Sequence, residues 1–306
     1  MPLVLISSDR FAEHQTPPGH PERPERAEAM DVVAARWRKQ GAEVLSPRPA
    51  THDELACVHD ARYLRRVAET AGRAVALDPD TFTSPESHEI ALLAAGAALM
   101  AVERAMHQPT SALALVRPPG HHAERNRAMG FCLFNNVAVG AAYARARGAT
   151  RVAIVDYDVH HGNGTQHTFE ADPHVLYIST HQFPYYPGTG AANEVGRGAG
   201  QGFTVNLPLE VGAVDEDYRT VFSDVVVPVL LQFEPDLMMI YNESWSPLSV
   251  TNLGDWSRRP WKALARSWLP RGDDLCAVPD WATCPDAGQT FTVDGRSMAI
   301  LASSRD

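Results

Sequence analysis

What this chain has little of narrows its class before any motif is read. Its four cysteines, Cys57, Cys132, Cys276 and Cys284, contain no C-x-x-C pair. Neither a thiolate-held structural zinc nor a disulfide framework is therefore expected, and a reducing cytoplasm is the expected location. Basic residues are outnumbered, 27 Lys and Arg against 37 Asp and Glu, for a formal net charge of −10. That balance argues against nucleic acid as a partner and is compatible with a small cationic one. No unbroken apolar run reaches the ~18 residues of a membrane-crossing helix. The opening M-P-L-V-L-I-S-S-D has no basic segment ahead of its apolar run, so it reads as a first strand and not as a signal peptide. No membrane partner is expected.

What is present is ordinary for a globular protein: 306 residues, 44% hydrophobic and 21% charged. That length suits one large α/β domain or two small ones. Strand-like runs stand at Leu3–Ile6, Ser111–Val116, Val152–Val155, Val175–Ser179, Thr204–Leu207 and Leu237–Ile240. Helical spacing appears at Glu86–Ala105, Asn135–Arg147 and Asp215–Phe233. Strands alternating with helices imply an α/β fold, with a mostly parallel central sheet covered by helices on both faces. In such sheets the site lies beyond the carboxyl ends of the strands.

Three polar motifs follow three of these strands. R-P-P-G-H-H-A comes after Val116, D-Y-D-V-H-H-G-N-G-T begins at Asp156, and Thr180-His181 follows Ser179. Asp158 and His160 are two residues apart, so on an extended segment they point to one side and can hold one ion together. Asp156 shares that side and is placed to orient a histidine by accepting its ring N–H. Gly120, Gly162 and Gly164 let the backbone turn tightly beside such a site.

These motifs carry a resemblance. G-H-P-E-R-P-E-R (19–26), G-H-H-A, G-F-C-L-F-N-N, D-Y-D-V-H-H-G-N-G-T-Q and P-Y-Y-P-G-T-G occur in the order seen in the histone deacetylase family. The chain is similar to its bacterial branch of acetylpolyamine amidohydrolases and acetoin-utilisation proteins, over residues 3 to about 240. The resemblance implies a zinc-dependent hydrolase that cleaves the amide of acetyl-lysine or an acetylated polyamine. Asp158 and His160 would be two zinc ligands, and His122 the general base. His121 would be its charged partner, held by Asp156, and Asn163 would orient His122. Gly130, Phe131 and Tyr186 would line a narrow substrate tunnel. A potassium ion would sit beside the zinc, on carbonyls of Asp156, Asp158, His160 and Thr180 and the Ser179 hydroxyl. Paired-manganese ureohydrolases share the fold style, but the tandem G-H-H argues against them.

The likeness changes near residue 240. All 13 histidines lie at or before His181, and five of the six tryptophans at or after Trp245. The expected organisation is a deacetylase-like domain over 1–240 and a divergent segment, 241–306, that lacks the family motifs and leaves the fold's C-terminal part incomplete. The family's third zinc ligand lies in a motif like S-A-G-F/Y-D-A-H, and here the aligned stretch reads Y-N-E-S-W, with Asn242 at the ligand position. An amide oxygen is a weaker ligand than a carboxylate, so zinc is expected to be weakly held unless Glu243 or Asp255 completes the shell. The family's late E-G-G-Y is absent, and Tyr241 is the last tyrosine. Two alternatives to a working deacetylase follow: a catalytically dead protein that binds an acyl-amine or a metal, or a truncated or frame-disrupted product. The expected partner is a small acetylated amine or acetyl-lysine, and homo-oligomers are compatible with the composition.

Overall fold

A computed structural model describes residues 3–108 and 110–242, and the backbone of 247–252, 289–293 and 296–300. In chain order the strands are β1 (Leu3–Ile6), β2 (Glu43–Leu45), β3 (Val75–Asp78), β4 (Thr81–Thr83), β5 (Ser111–Leu115), β6 (Val152–Asp156), β7 (Val175–Gln182), β8 (Thr204–Leu209), β9 (Leu237–Tyr241) and β10 (Pro247–Asn252). Two more, β11 (Gln289–Val293) and β12 (Arg296–Ile300), pair with each other. The helices are α1 (Glu25–Lys39), α2 (His52–Ala56), α3 (Ala61–Ala68), α4 (Ser87–His107), α5 (Asn136–Ala146), α6 (Asn163–Phe169), α7 (Asp215–Val221) and α8 (Val227–Phe233).

The main sheet has eight strands in the order β2-β1-β5-β10-β9-β6-β7-β8. It is the mostly parallel sheet expected from alternating strands and helices. The exception is β10, which lies between β5 and β9 and runs antiparallel to both. The segment after residue 240 therefore contributes a strand to the interior of the sheet.

Alternation along the strands assigns each face. Val152 and Ile154 of β6 and Leu237, Met239 and Tyr241 of β9 join the larger core, which includes α4 and α5. Ala153, Val155, Met238 and Ile240 point the other way, into a core closed by Val226, Leu230 and Phe233. A third cluster places Met30 and Ala34 of α1 against Leu5, Leu113 and Leu115. Asp156 and Tyr241 are register neighbours, so the last residues of β6 and β9 face the larger core together.

Helix α4 is long and apolar enough to cross a membrane, but it is largely buried and packs on α5 and β5. The single helix expected over Asp215–Phe233 is divided. A π-helical turn, Phe222–Val226, separates α7 from α8. Pro228 has no N–H to give the carbonyl four residues back, which accounts for the break in the regular ladder. Four of the described helices, α1, α2, α3 and the seven-residue α6, escaped the sequence reading. Helix α1 buries only the narrow stripe Ala27, Met30 and Ala34 on an otherwise charged surface. Helix α2 carries a capping box, T-H-D-E, in which Thr51 and Glu54 satisfy each other's backbone N–H. The third, α3, is eight residues long and buries Tyr63, Leu64 and Val67.

Candidate active site

The three polar motifs converge at the carboxyl ends of β5, β6 and β7, with Thr180 and His181 still inside β7, which runs to Gln182 and not only to Ser179. β6 ends at Asp156, whose carboxylate is fully buried. Its Oδ2 accepts the His121 Nδ1–H at 2.8 Å and the Tyr177 hydroxyl at 3.1 Å, while Oδ1 accepts the Asp158 backbone N–H at 3.2 Å. One carboxylate thus ties β6 to the loop after β5 and to Tyr177 on β7. Gly162 closes over this cluster. Any side chain at 162 would collide with the Asp156 carboxylate, the Tyr177 hydroxyl and His121 Nδ1, so glycine is required there.

His122 lies beside His121, with ring centroids 4.0 Å apart. Its Nδ1 is 2.8 Å from Asn163 Oδ1. The Asn163 amide nitrogen donates to Glu124 Oε1 at 2.5 Å and to the His122 carbonyl at 3.4 Å. With the amide oxygen facing His122, the proton sits on Nδ1 and Nε2 carries the lone pair. Burial, and secondarily the neighbouring His121, holds the His122 pKa well below the usual histidine value, so the ring is neutral near pH 7. A neutral imidazole with its lone pair on Nε2 is the form a general base requires.

Asp158 is buried and His160 is partly exposed, with His160 Nδ1 3.2 Å from Asp158 Oδ1. Tetrahedral zinc bound to one nitrogen and one oxygen separates the two donors by roughly 3.4 Å, so the pair is spaced to share one ion. Burial pushes the Asp158 carboxyl up, but the hydrogen bonds from His160 and the charge of His121 outweigh it and hold it below the usual carboxylate range. An ionised carboxylate is the form that binds metal. The His122 and His160 rings are 5.9 Å apart, so base and ligand share one site.

Asn242 takes a different place from the one expected of a third ligand. Tyr157 and Asn242 each follow one of the register neighbours Asp156 and Tyr241, and the Asn242 side chain hydrogen-bonds Tyr157. Tyr157 packs with the smaller core on the opposite face of the sheet. Alternation explains this: Asp158 returns to the side of Asp156, whereas Asn242 stands one residue past Tyr241 and turns away. Among the described residues no three His, Cys, Asp or Glu side chains form a metal-holding group. Glu243 and Asp255 lie outside the described residues.

Around the pair stand the expected tunnel residues. Tyr186 packs edge-on against His122, at 5.0 Å between centroids, and against His160 at 5.9 Å. Tyr185, half exposed, stacks flat on His160 at 5.2 Å. Gly130 has a φ of +55° and lies against the His122 ring, and Phe131 follows at a φ of +69°. That turn is held by the β3–β4 connection: Asp80 Oδ1 accepts the Gly130 N–H at 3.2 Å and Thr81 Oγ1 accepts the Phe131 N–H at 3.0 Å.

His161 turns away from Asp158 toward Thr189 Oγ1 and Gln166 Oε1, at 2.7 and 2.9 Å, and anchors the loop that carries Tyr185 and Tyr186. His181 Nε2 donates to the Gly190 carbonyl, so its Nδ1 accepts the Ser179 hydroxyl proton at 2.9 Å. The Ser179 hydroxyl also hydrogen-bonds the Tyr177 hydroxyl. The Thr180 hydroxyl is buried with no hydrogen-bond partner among the described residues.

Other contributors, Tyr185 among them, were not singled out from the sequence. Tyr177 and Glu124 are described above. Arg117 and Glu22 form a fully buried ion pair at 2.6 and 2.8 Å that fastens the first loop to the segment bearing His121. The only signal for it was the presence of Glu22 and Arg117 inside two of the motifs themselves. Tyr241 was read only for what it is not. Its buried hydroxyl oxygen accepts the Gly120 N–H at 2.8 Å and the His121 N–H at 3.3 Å. Tyr241→Phe would leave two buried backbone donors without that acceptor, at about 1–3 kcal/mol for a fully lost partner. The expected outcome is a loss of roughly 2 kcal/mol in urea unfolding. An unchanged midpoint would show that the hydroxyl does not hold the loop.

The histone deacetylase domain family matches residues 20–242. The chain belongs to the histone deacetylase family. It is 43% identical over 265 residues to an uncharacterized protein of Synechocystis, a match covering 82% of this chain and 85% of that one. It is 38% identical over 240 residues to a probable deacetylase of Archaeoglobus fulgidus, covering 77% and 67% respectively. Among solved structures, the HD domain of HDA15 superposes with a TM-score of 0.75 at 40% identity, covering 78% of this chain and 72% of that one. Membership makes this a deacetylase-family hydrolase fold and agrees with the mostly parallel sheet.

Proposed function

We propose that this deacetylase-family chain hydrolyses the amide of a small acetylated amine, acetyl-lysine or an acetylated polyamine, with zinc held by Asp158 and His160. The observation that carries this reading is the set of two buried histidines, each with its Nδ1 paired at 2.8 Å, beside a carboxylate–imidazole pair 3.2 Å apart. When bound, zinc would polarise the acyl carbonyl and acidify a water molecule. The chain's own groups do the rest. His122, neutral and presenting its Nε2 lone pair, takes the water proton and later returns it to the leaving amine. His121, whose Nδ1–H is held by the Asp156 carboxylate, stabilises developing negative charge from beside it. Tyr186, with the Gly130–Phe131 turn, supplies apolar walls suited to a linear methylene stem. The net charge of −10 favours a cationic substrate over a polyanion. The same reading gives potassium a place at Ser179 and Thr180 and keeps the protein in the cytoplasm.

Acetyl-lysine and acetylpolyamine reporters, assayed after chelation and again with zinc restored, test this. Hydrolysis that returns with zinc and vanishes in His122→Ala supports it. Hydrolysis indifferent to chelation or to His122 sinks it. Zinc bound through Asp158 without turnover of either reporter favours the alternative of a binding protein.

A further inference from the structure

The base role of His122 depends on which ring nitrogen carries its proton, and that choice is made by an amide that could face either way. We propose that Glu124, by its negative charge, fixes the orientation of the Asn163 amide and so selects the His122 tautomer. The inference rests on the reading of His122 as the base. An amide has nearly the same shape after its oxygen and nitrogen are exchanged, so sterics alone do not select one orientation. As found, Asn163 Oδ1 faces His122 Nδ1 at 2.8 Å and Nδ2 faces Glu124 Oε1 at 2.5 Å. Turned over, the amide would donate to Nδ1 and drive the ring proton to Nε2, leaving no lone pair toward the reacting centre. It would also set its oxygen against the Glu124 oxygen. A carboxylate only accepts hydrogen bonds, so that contact is repulsive and the flip is blocked.

Glu124 is itself held in place. The same Oε1 takes a hydrogen bond from the His167 Nδ1–H at 2.9 Å. The Glu124 backbone N–H donates to the Arg127 carbonyl at 2.9 Å, and its carbonyl accepts the His59 Nδ1–H at 3.0 Å. The arrangement makes Glu124 a positioning residue: it acts through Asn163 and does not touch the reacting atoms. A merely structural glutamate would tie α6 to this loop through His167 and have no effect on the tautomer.

The experiment is nitrogen NMR of histidine-labelled full chain near neutral pH, with His122 assigned from the signals absent in His122→Ala. The unaltered protein should show His122 protonated on Nδ1 only. Glu124→Gln keeps the size but can donate as well as accept, so the Nε2–H tautomer should appear. Reporter kcat should fall in proportion to the lost Nδ1–H fraction, with KM unchanged. Glu124→Gln combined with Asn163→Asp should restore a single Nδ1–H tautomer, because a carboxylate at 163 can only accept. A single Nδ1–H tautomer in Glu124→Gln overturns the proposal while leaving His122 as the base. An Nε2–H tautomer in the unaltered protein overturns both. Equal loss of tautomer order in the single and double variants assigns Glu124 to structure and overturns the proposal.

Discussion

Asp156→Ala is expected to remove about 3–5 kcal/mol of stability and all base-dependent turnover together. The carboxylate is fully buried and accepts three hydrogen bonds, from His121, Tyr177 and the Asp158 backbone. Alanine supplies none of them and leaves three buried donors facing a void. For a domain of this size, each kcal/mol corresponds to roughly 2–4 °C in Tm, so the expected shift is on the order of 10 °C. His121 loses the group that fixes its Nδ1–H, and the Asp158 segment loses its tether. Asp156→Asn separates the two effects. It can still accept at one oxygen, but it sets an amide N–H against one of the three donors. Its stability should fall less than that of the alanine variant, while activity falls nearly as far. Thermal unfolding of the three proteins, with the reporter assay alongside, decides the matter. An alanine variant as stable as the parent would show that the Asp156 cluster does not hold the site together.

Mild acid should destabilise the protein well before its carboxylates titrate. His59 is buried, with Nδ1–H donating to the Glu124 carbonyl and Nε2 accepting the Asn135 N–H at 2.9 Å. A second proton has no place, and burial lowers its pKa to about 4. In the unfolded chain the ring titrates near 6.5, so below that pH the unfolded state binds a proton that the native state refuses. Stability is therefore complete above pH ~6.5 and is lost as pH falls toward ~4. Refusing that proton between pH ~6.5 and ~4 corresponds to about 3 kcal/mol from this residue alone. His161, lowered by burial to about 3, adds in the same direction, as do the buried His14 and His181. His167 opposes them, because its hydrogen bond to Glu124 raises its pKa. Urea midpoints measured from pH ~7.5 to ~5 should fall steadily. His59→Gln should reduce the slope by about one proton, since glutamine can keep a donor and an acceptor without titrating. A flat profile between those pH values would contradict the buried-neutral reading.

These effects share one origin, the burial of polar groups at strand ends, and it sets how far the sequence could be read. Each of β1, β5, β6, β7 and β9 was legible as an apolar run because strands covered on both faces are hydrophobic along most of their length. The edge strand β8 is only partly buried and showed itself instead by alternation in T-V-N-L. The pairing of Asp158 with His160 was legible because a two-residue spacing puts side chains on one side of an extended chain. Helix α1 was not, since its buried stripe consists mainly of small residues amid charge.

Sequence alone thus determined the alternation of strands and helices, the positions of the polar motifs at the ends of their strands, and the family to which they belong. The tertiary structure decided what those motifs touch. It placed Asn242 beside Tyr157, on the opposite side of its strand from Tyr241, and set Pro247–Asn252 between β5 and β9. It also joined Glu124 to His122 through Asn163, 39 positions from Glu124 along the chain. Periodicity reports which way a side chain faces within its own element. Which distant group meets it depends on strand order and register, and those are settled only when the whole sheet buries its two faces at once.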